Sequence, residues 1–201
     1  MKDFVVLDIE TTGFVAVSDE ITQIGAWKVT NGMVSDKFDQ FVKIQGTIPY
    51  EVQQLTGIRD SDLADANSIG EVLQEFIDFC GSLPFVIHNV PFDYGFLREK
   101  SRLCGLENEL TLRGKRLGID TLALCRSLFP NVSHSLSSMI EYLGIPKQEG
   151  NYHNALYDAF MTKQLYSYLL SKYDTIYGVK EPVLLQKEAE GRATNNGVLS
   201  F

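Results

Sequence analysis

Two acidic residues near the start of the chain lie in the segment Asp8-Ile9-Glu10-Thr11-Thr12-Gly13. The unbroken apolar run from Phe4 to Leu7 precedes them and is typical of a strand buried on both faces. Residues two apart on a strand share a face, so we expect Asp8 and Glu10 to project side by side. Two carboxylates at the edge of a core repel each other unless a cation lies between them, and Mg²⁺ or Mn²⁺ prefers such oxygen ligands. A solvated strand end that runs into a Thr-Thr-Gly turn would explain the same segment without a metal.

Two further acids lie where a strand ends or a helix begins. Asp93 closes the segment His88-Asn89-Val90-Pro91-Phe92-Asp93, and Asp158 closes the segment His153-Asn154-Ala155-Leu156-Tyr157-Asp158. Open α/β sheets place their sites at such positions, so the fold could bring all four acids together. Taken singly, these two acids could instead complement helix dipoles, and the two histidines could have structural roles.

The spacing between His153 and Asp158 restricts where the histidine can lie. Five residues on one helix would separate the two side chains by about 140°. Both can therefore face one site only if His153 lies in the loop before the helix, where Asn154 is a suitable N-cap. A histidine on a loop beside a metal cluster is well placed to act as a general base.

Length and composition indicate an ordinary globular protein. The 201 residues favour one domain, and the apolar (44%) and charged (22%) fractions are those of a soluble protein. No apolar stretch is long enough to span a membrane, and no secretory signal is visible at the start. Three cysteines without metal-clip spacing predict buried thiols, and hence a cytoplasmic location.

The formal net charge of −8 argues against tight, unaided binding to nucleic acid. It remains compatible with a nucleic-acid enzyme whose acids surround metal ions, because the ions invert the local charge where a phosphate must lie. Six basic residues are candidate phosphate contacts, although a solvated surface explains them equally well: Arg98, Lys100, Arg102, Arg113, Lys115 and Arg116.

Alternating strand and helix patterns predict an α/β fold. The Asn31-Gly32 turn adds an antiparallel hairpin. We expect strands at 4–9, 21–29, 33–44, 85–88 and 118–120. We expect helices at 69–80, 92–103, 136–143 and 155–170, a helix that Pro130 ends, and a loop-rich crossover at 45–67. The pattern decays towards the end of the chain, which predicts one domain at 1–173 and a partly flexible C-terminal extension at 174–201.

These residues resemble the three motifs of the DnaQ-like DEDD exonuclease superfamily. The matching elements are Asp8-x-Glu10, His88-Asn89-x-x-Phe92-Asp93 and His153-x4-Asp158, and the histidine marks the DEDDh branch. The likeness covers about residues 3–171 and extends through Ile24-Gly25-Ala26, Gly57-Ile58 and Ile119-Asp120-Thr121-Leu122. Within the superfamily, the chain is most similar to the proofreading epsilon subunit or exonuclease domain of bacterial DNA polymerase III.

The resemblance implies a ribonuclease H-like fold, a mixed five-stranded sheet flanked by helices, and removal of nucleotides from 3′ ends. It implies that two divalent cations, Mg²⁺ or Mn²⁺, are held by Asp8, Glu10, Asp93 and Asp158. In this scheme Asp8 bridges both ions, and Asp93 acts largely through bound water. His153 would take a proton from the attacking water.

Substrate contacts are also implied by the resemblance. Thr11, Thr12 and the Gly13 backbone would approach the terminal nucleotide, and Phe14 would wedge against its base. The remaining positions that match substrate contacts are Glu51, Thr56, His88 and Asn89. The chain departs from several relatives at Thr56, where they carry histidine, and we expect Phe92 to belong to the core rather than to stack on a base.

The expected substrate is a single-stranded or frayed DNA 3′ end. An RNA 3′ exonuclease that trims tRNA or oligoribonucleotides is the first alternative, and a catalytically silent nucleic-acid-binding or scaffold domain is the second. A DNA polymerase is a possible partner. The C-terminal residues Gly197 to Phe201 faintly resemble peptides that bind a sliding clamp, which is a second possible partner.

Overall fold

Five strands form one mixed sheet in the computed structural model, which describes residues 3–112 and 118–177. They are β1 (Phe4–Thr11), β2 (Ile21–Thr30), β3 (Met33–Phe41), β4 (Phe85–Ile87) and β5 (Gly118–Asp120). Their order is β3-β2-β1-β4-β5; β1 pairs antiparallel with β2 and parallel with β4. The predicted mixed five-stranded sheet, with its antiparallel hairpin, is confirmed.

Helices cover both faces of this sheet. Within the described residues they are α1 (Tyr50–Thr56), α2 (Asp60–Leu63), α3 (Ile69–Cys80), α4 (Val90–Leu103), α5 (Glu107–Leu112), α6 (Thr121–Leu128), α7 (Leu136–Tyr142) and α8 (Ala155–Tyr177). The prediction for α3 is confirmed at both ends. Its capping box forms as expected, because the Glu71 carboxylate accepts the Ser68 N–H at 2.9 Å.

The alternation of side chains along β1 divides the core into two clusters. Val5, Leu7 and Ile9 pack with α3 and α4 on one face of the sheet. Phe4 and Val6 pack with α6, α7 and α8 on the other face. Because residues two apart share a face, the even-numbered acids that follow Val6 point towards the α8 side.

Several elements differ from the prediction. The crossover at 45–67 contains α1 and α2, which the sequence did not reveal because α1 buries none of its side chains and so lacks an apolar period. Helix α5 was also missed. Helix α4 begins at Val90 rather than at residue 92, since proline is compatible with the first helical turn.

Several other elements also end elsewhere than predicted, and β1 continues to Thr11 instead of ending at residue 9. Strand β3 ends at Phe41, before the predicted residue 44. Helix α8 continues to Tyr177, past the predicted domain boundary at 173, so the division of the chain stays a prediction. The proposed clamp peptide lies outside the described residues. No helix in the described part of the chain is long and apolar enough to cross a membrane.

The three cysteines are free thiols. Cys80 and Cys125 are buried, and Cys104 is partly buried, in agreement with the prediction from their spacing. Burial raises the pKa of Cys125 to about 12, which keeps that thiol protonated and unreactive.

Candidate active site

Three carboxylates from two elements converge on one point. Strand β1 carries Asp8 and Glu10, and the first turn of α8 carries Asp158. Each contributes a carboxylate oxygen, and these oxygens lie within 4.8 Å of one another. Three oxygens at this separation can hold one cation. The cluster forms because α8 packs on the face of the sheet towards which Asp8 and Glu10 point.

Asp93 approaches the same cluster from α4. It is buried, and its Oδ1 accepts the N–H of Ile9 at 3.2 Å, which ties the start of α4 to β1 between the two strand acids. Asn89, in the turn before α4, has a left-handed backbone conformation (φ 87°). Its N–H donates to the Asp120 carboxylate at the end of β5 at 3.3 Å, which fixes this turn against the sheet. The carboxylate of Asp120 also caps α6.

His153 lies immediately before α8, as the spacing argument requires. Its backbone is left-handed (φ 65°), and its N–H donates to Oδ2 of Asp158 at 2.9 Å. The Asn154 side chain accepts the N–H of Tyr157 at 3.1 Å, which confirms the predicted N-cap. The exposed His153 side chain lines the same pocket as the acids.

The acids oppose one another's ionisation. Burial, together with the charges of Asp93, Glu10 and Asp158, raises the pKa of Asp8 well above its usual range. Burial and the charge of Asp158 raise the pKa of Glu10 to about 8. Burial raises the pKa of Asp158 to about 6, even though the His153 N–H favours its charged form. Burial also raises the pKa of Asp93, against the stabilising hydrogen bond from Ile9.

The cluster suits a divalent cation. The Oδ1 atom of Asp158 is buried and has no hydrogen-bond partner among the residues that the structure describes. An unpartnered carboxylate oxygen in a buried site is costly, and a hard cation is the partner that carboxylate oxygens accept best. The oxygens of Asp8 and Glu10 lie close enough to share that cation, so the residues fit the metal that the motifs imply.

A pocket of about 280 Å³ opens over the cluster. It is lined by all five predicted catalytic residues and by six of the eight predicted substrate-binding residues, namely Thr11, Gly13, Phe14, Thr56, His88 and Asn89. Thr12 and Glu51 do not line it. The Thr12 hydroxyl accepts the N–H of Glu20 instead, and Glu51 lies exposed at the start of α1.

His88 has partners for both ring nitrogens. Nδ1 lies 2.9 Å from the Thr121 hydroxyl, and Nε2 lies 2.9 Å from the backbone oxygen of His134. A carbonyl can only accept, so Nε2 carries the proton and donates it to His134. Burial lowers the pKa of His88, which keeps the ring neutral. These contacts are typical of a histidine with a structural role, which is one of the alternatives that the sequence allowed for His88.

Four pocket residues were not predicted as site residues, and one of them, Ile9, lies on β1 between the two strand acids. Val52 and Leu55 come from α1, and Phe92 comes from the first turn of α4. Phe92 packs against the core, as expected, with its ring centroid 5.1 Å from that of Phe96. It is only partly buried, however, and its ring centroid also lies 6.3 Å from that of the exposed Phe14. The two α1 residues gave no signal because that helix was not predicted.

The candidate phosphate contacts fall into three groups. Arg113, Lys115 and Arg116 lie outside the described residues. Arg102 pairs with Glu99 at 2.7 Å, and Lys100 is largely buried. Of the six, Arg98 is the one in the described part of the chain that is exposed and has no ion pair there.

The chain matches a family model over residues 5–166, and the description of that family is exonuclease (RNase_T). The match covers most of the chain and contains every acid of the cluster. The chain belongs to this exonuclease family. It is therefore a DEDD-type 3′-to-5′ exonuclease, an enzyme that hydrolyses phosphodiester bonds, and the alternative of a catalytically silent domain is set aside.

Curated relatives are much longer proteins. The chain is 35% identical over 194 residues to the PolC-type DNA polymerase III of Caldanaerobacter subterraneus, covering 94% of this chain and 13% of that protein. It is 40% identical over 163 residues to the PolC-type DNA polymerase III of Thermotoga petrophila, covering 81% of this chain and 11% of that protein. The exonuclease thus spans about an eighth of these polymerases.

Solved structures share the fold at lower identity. Exonuclease X bound to 5′-overhanging duplex DNA has a TM-score of 0.65 at 22% identity, covering 84% of this chain and 92% of its own. Escherichia coli Exonuclease I bound to a dT13 oligonucleotide has a TM-score of 0.75 at 16% identity, covering 89% and 43%. The nuclease domain of 3′hExo, a DEDDh family member bound to rAMP, has a TM-score of 0.69 at 20% identity, covering 85% and 92%. The ribonuclease H-like exonuclease fold is confirmed.

Proposed function

We propose that this exonuclease removes nucleotides from single-stranded or frayed DNA 3′ ends in the manner of a proofreading nuclease. The observation that carries the proposal is the convergence of four acids and one loop histidine on a single pocket. The sequence similarity to PolC-type polymerases supports DNA as the substrate, because those relatives are DNA polymerases by name.

Asp8, Glu10 and Asp158 would hold one divalent cation, Mg²⁺ or Mn²⁺, since their oxygens form the close cluster. Asp8 would also contribute to a second ion, together with Asp93. Two such cations, when bound, supply Lewis-acid stabilisation of the attacking and leaving oxygens of a phosphoryl transfer. The carboxylates that bind them must be deprotonated, so binding releases the protons that burial favours.

His153 would act as the general base of the reaction. An imidazole can accept a proton near neutral pH, and this one is exposed on the pocket wall next to Asp158. The hydrogen bond from the His153 N–H to Asp158 fixes the loop relative to the acids. His153 would take a proton from a water molecule as the water oxygen bonds to the phosphorus. The bond from the phosphorus to the departing 3′ oxygen breaks, and that oxygen takes a proton from solvent.

The pocket walls would bind the terminal nucleotide. Phe14 lies 83% exposed beside Phe92 and offers a face for stacking on a base. Leu55 lines the pocket from α1, and Thr11 and Gly13 line it at the end of β1 and just after it. Thr12 and Glu51 would join these contacts only if the bound strand extends beyond the pocket.

Association with a DNA polymerase is part of the proposal. The chain matches only about an eighth of relatives that are DNA polymerases by name, and we infer that it would act as the exonuclease segment of such an assembly. A polymerase that delivers the 3′ end would compensate for the low DNA affinity expected from a net charge of −8.

A comparison of matched DNA and RNA single strands tests the proposed substrate. Turnover of 5′-labelled strands, with paired and mismatched duplex ends alongside, should favour DNA and should favour mismatched over paired ends. Equal or faster turnover of the RNA strand would support the alternative, an RNA 3′ exonuclease. Failure to shorten any strand from its 3′ end would reject the function itself.

A further inference from the structure

Alternate residues of β2 form a contact strip for the start of α8. Gln23, Gly25 and Trp27 lie opposite Glu10, Asp8 and Val6 in the antiparallel register, so they share a face with the acids. Each of the three contacts the segment Ala155 to Leu156, one turn before Asp158. We call these three residues the β2 strip.

Gln23 is the polar member of the β2 strip. It is only 2% exposed, and both of its amide atoms are used. Its Oε1 accepts the Ala155 N–H at 3.1 Å, and its Nε2 donates to Asp39 on β3 at 2.8 Å. The two partners fix the orientation of the amide, because an N–H requires the oxygen and a carboxylate requires the NH₂ group.

The Ala155 N–H lies in the first turn of α8, and N–H groups in the first turn of a helix have no hydrogen-bond acceptor within the helix. Gln23 therefore replaces the missing helical partner and holds the helix start against the sheet. The neighbouring contacts act in the same direction. Trp27 Nε1 donates to the Leu156 oxygen at 2.9 Å, and the absence of a side chain at Gly25 lets the Ala155–Leu156 backbone lie directly on β2.

We propose that Gln23 is a positioning residue for catalysis, which sets the first turn of α8 and thereby the place of Asp158 and of the His153 loop. The inference rests on the proposed roles of those two residues. Catalytic rates are sensitive to displacements of about 1 Å in the groups that bind reactants, so loss of this hydrogen bond should act on turnover and not only on folding.

The Gln23→Met variant removes both hydrogen bonds and keeps the length of the side chain. We expect kcat on a DNA single strand to fall by about 30-fold, with KM changed by less than about three-fold. Thr22→Val is the matched control, because Thr22 is the adjacent residue, is 1% exposed, and has a hydroxyl without a hydrogen-bond partner in the described part of the chain. The control should keep the wild-type kcat.

A spectroscopic measurement separates positioning from stability. Trp27 is the single tryptophan of the chain, and its indole contacts the α8 start, so its fluorescence reports on this turn. We expect Mg²⁺ to change the Trp27 emission of the wild-type protein, and Gln23→Met to shift the midpoint to about ten-fold higher Mg²⁺. A folded Gln23→Met protein with wild-type kcat and midpoint would overturn the proposal.

A second variant covers the case in which Gln23→Met does not fold. Asp39 is exposed, so Asp39→Ala removes the anchor of the Gln23 amide without opening the core. It should lower kcat by about three-fold, and an unchanged kcat would count against the proposal. An inactive wild-type enzyme would instead contradict the proposed function, whereas an active wild type with fully active variants contradicts only the role of Gln23.

Discussion

Asp158 shows at the residue scale why the pocket needs a cation. One of its oxygens accepts the His153 N–H, but the other is buried and finds no hydrogen-bond partner within residues 3–112 and 118–177. Glu10 and Asp8 lie within reach of it. Burial and the charge of Asp158 raise the pKa of Glu10, and burial together with the neighbouring carboxylates raises the pKa of Asp8. A cluster of like charges destabilises the folded protein, and such clusters are typical of functional sites. We therefore attribute this cluster to function and not to folding.

The raised pKa of Glu10 predicts how the metal-free protein responds to pH. Its ordinary value is 4.5, and burial raises it to about 8, so between these values the folded state holds a proton that the unfolded chain releases. Stability should therefore fall as pH rises from about 5 to about 8. Thermal melts in chelator should show this fall.

Glu10→Gln is the variant that isolates this effect, because it keeps the shape of the side chain and removes its titration. We expect the metal-free variant to be about 2 kcal/mol more stable than the wild type at pH 8, and the difference to shrink towards pH 5. Equal melting curves for the two proteins across this range would contradict the assigned electrostatics.

His153→Ala should slow the chemical step by about 100-fold or more while leaving Mg²⁺ binding largely intact. The loop backbone that contacts Asp158 is unchanged by this substitution, so the acids keep their places. Single-turnover rates together with the Mg²⁺ midpoint measure both quantities, and added imidazole should restore part of the rate. An unchanged single-turnover rate would exclude the role of general base.

At the scale of elements, the site depends on how closely α8 lies on β2. A Cβ at Gly25 would overlap the backbone of Ala155 and Leu156, so Gly25→Ala must displace the helix that carries Asp158. We expect a loss of about 2 kcal/mol in stability together with a large loss of activity. Gly46→Ala, whose Cβ would meet open space, is the control for melting temperature and kcat.

A Gly25→Ala protein that melts and turns over like Gly46→Ala would show that α8 can shift without consequence. The sequence pattern predicted Gly25 only as part of a family likeness, since a glycine in a strand gives no sign of the element that approaches it. The structure supplies that reason. The strongly periodic helix α3 was predicted to the residue, whereas α1 was missed because it buries none of its side chains and so shows no apolar period.

At the scale of the whole molecule, the net charge of −8 repels a polyanionic substrate. In the described part of the chain, two of the candidate phosphate contacts are buried or paired within the protein. We therefore expect weak binding through few phosphate contacts. The slope of log KM for a DNA single strand against log salt should be about 1 to 2, at roughly 0.7 per contact. A slope of about 5 or more would reveal a basic surface that this account lacks.

The convergence of the acids could be predicted because their types, order and spacing match one family. Their placement also obeys a general rule, that sites in open α/β sheets lie at strand ends and helix starts. The β2 strip and the contacts of His88 could not be predicted, because they join residues far apart in the chain, such as Gln23 and Ala155. Such contacts depend on how helices pack on the sheet, which no local pattern encodes.

The digestion of a 5′-labelled DNA single strand by the wild type and by Asp8→Ala tests the central claim most directly. With Mg²⁺ the wild type should shorten the strand one nucleotide at a time from its 3′ end, and chelator should stop it. Asp8→Ala should be slower by about a thousand-fold or more, because the shared ligand is lost. Wild-type turnover by Asp8→Ala, or digestion that continues in chelator, would contradict the account.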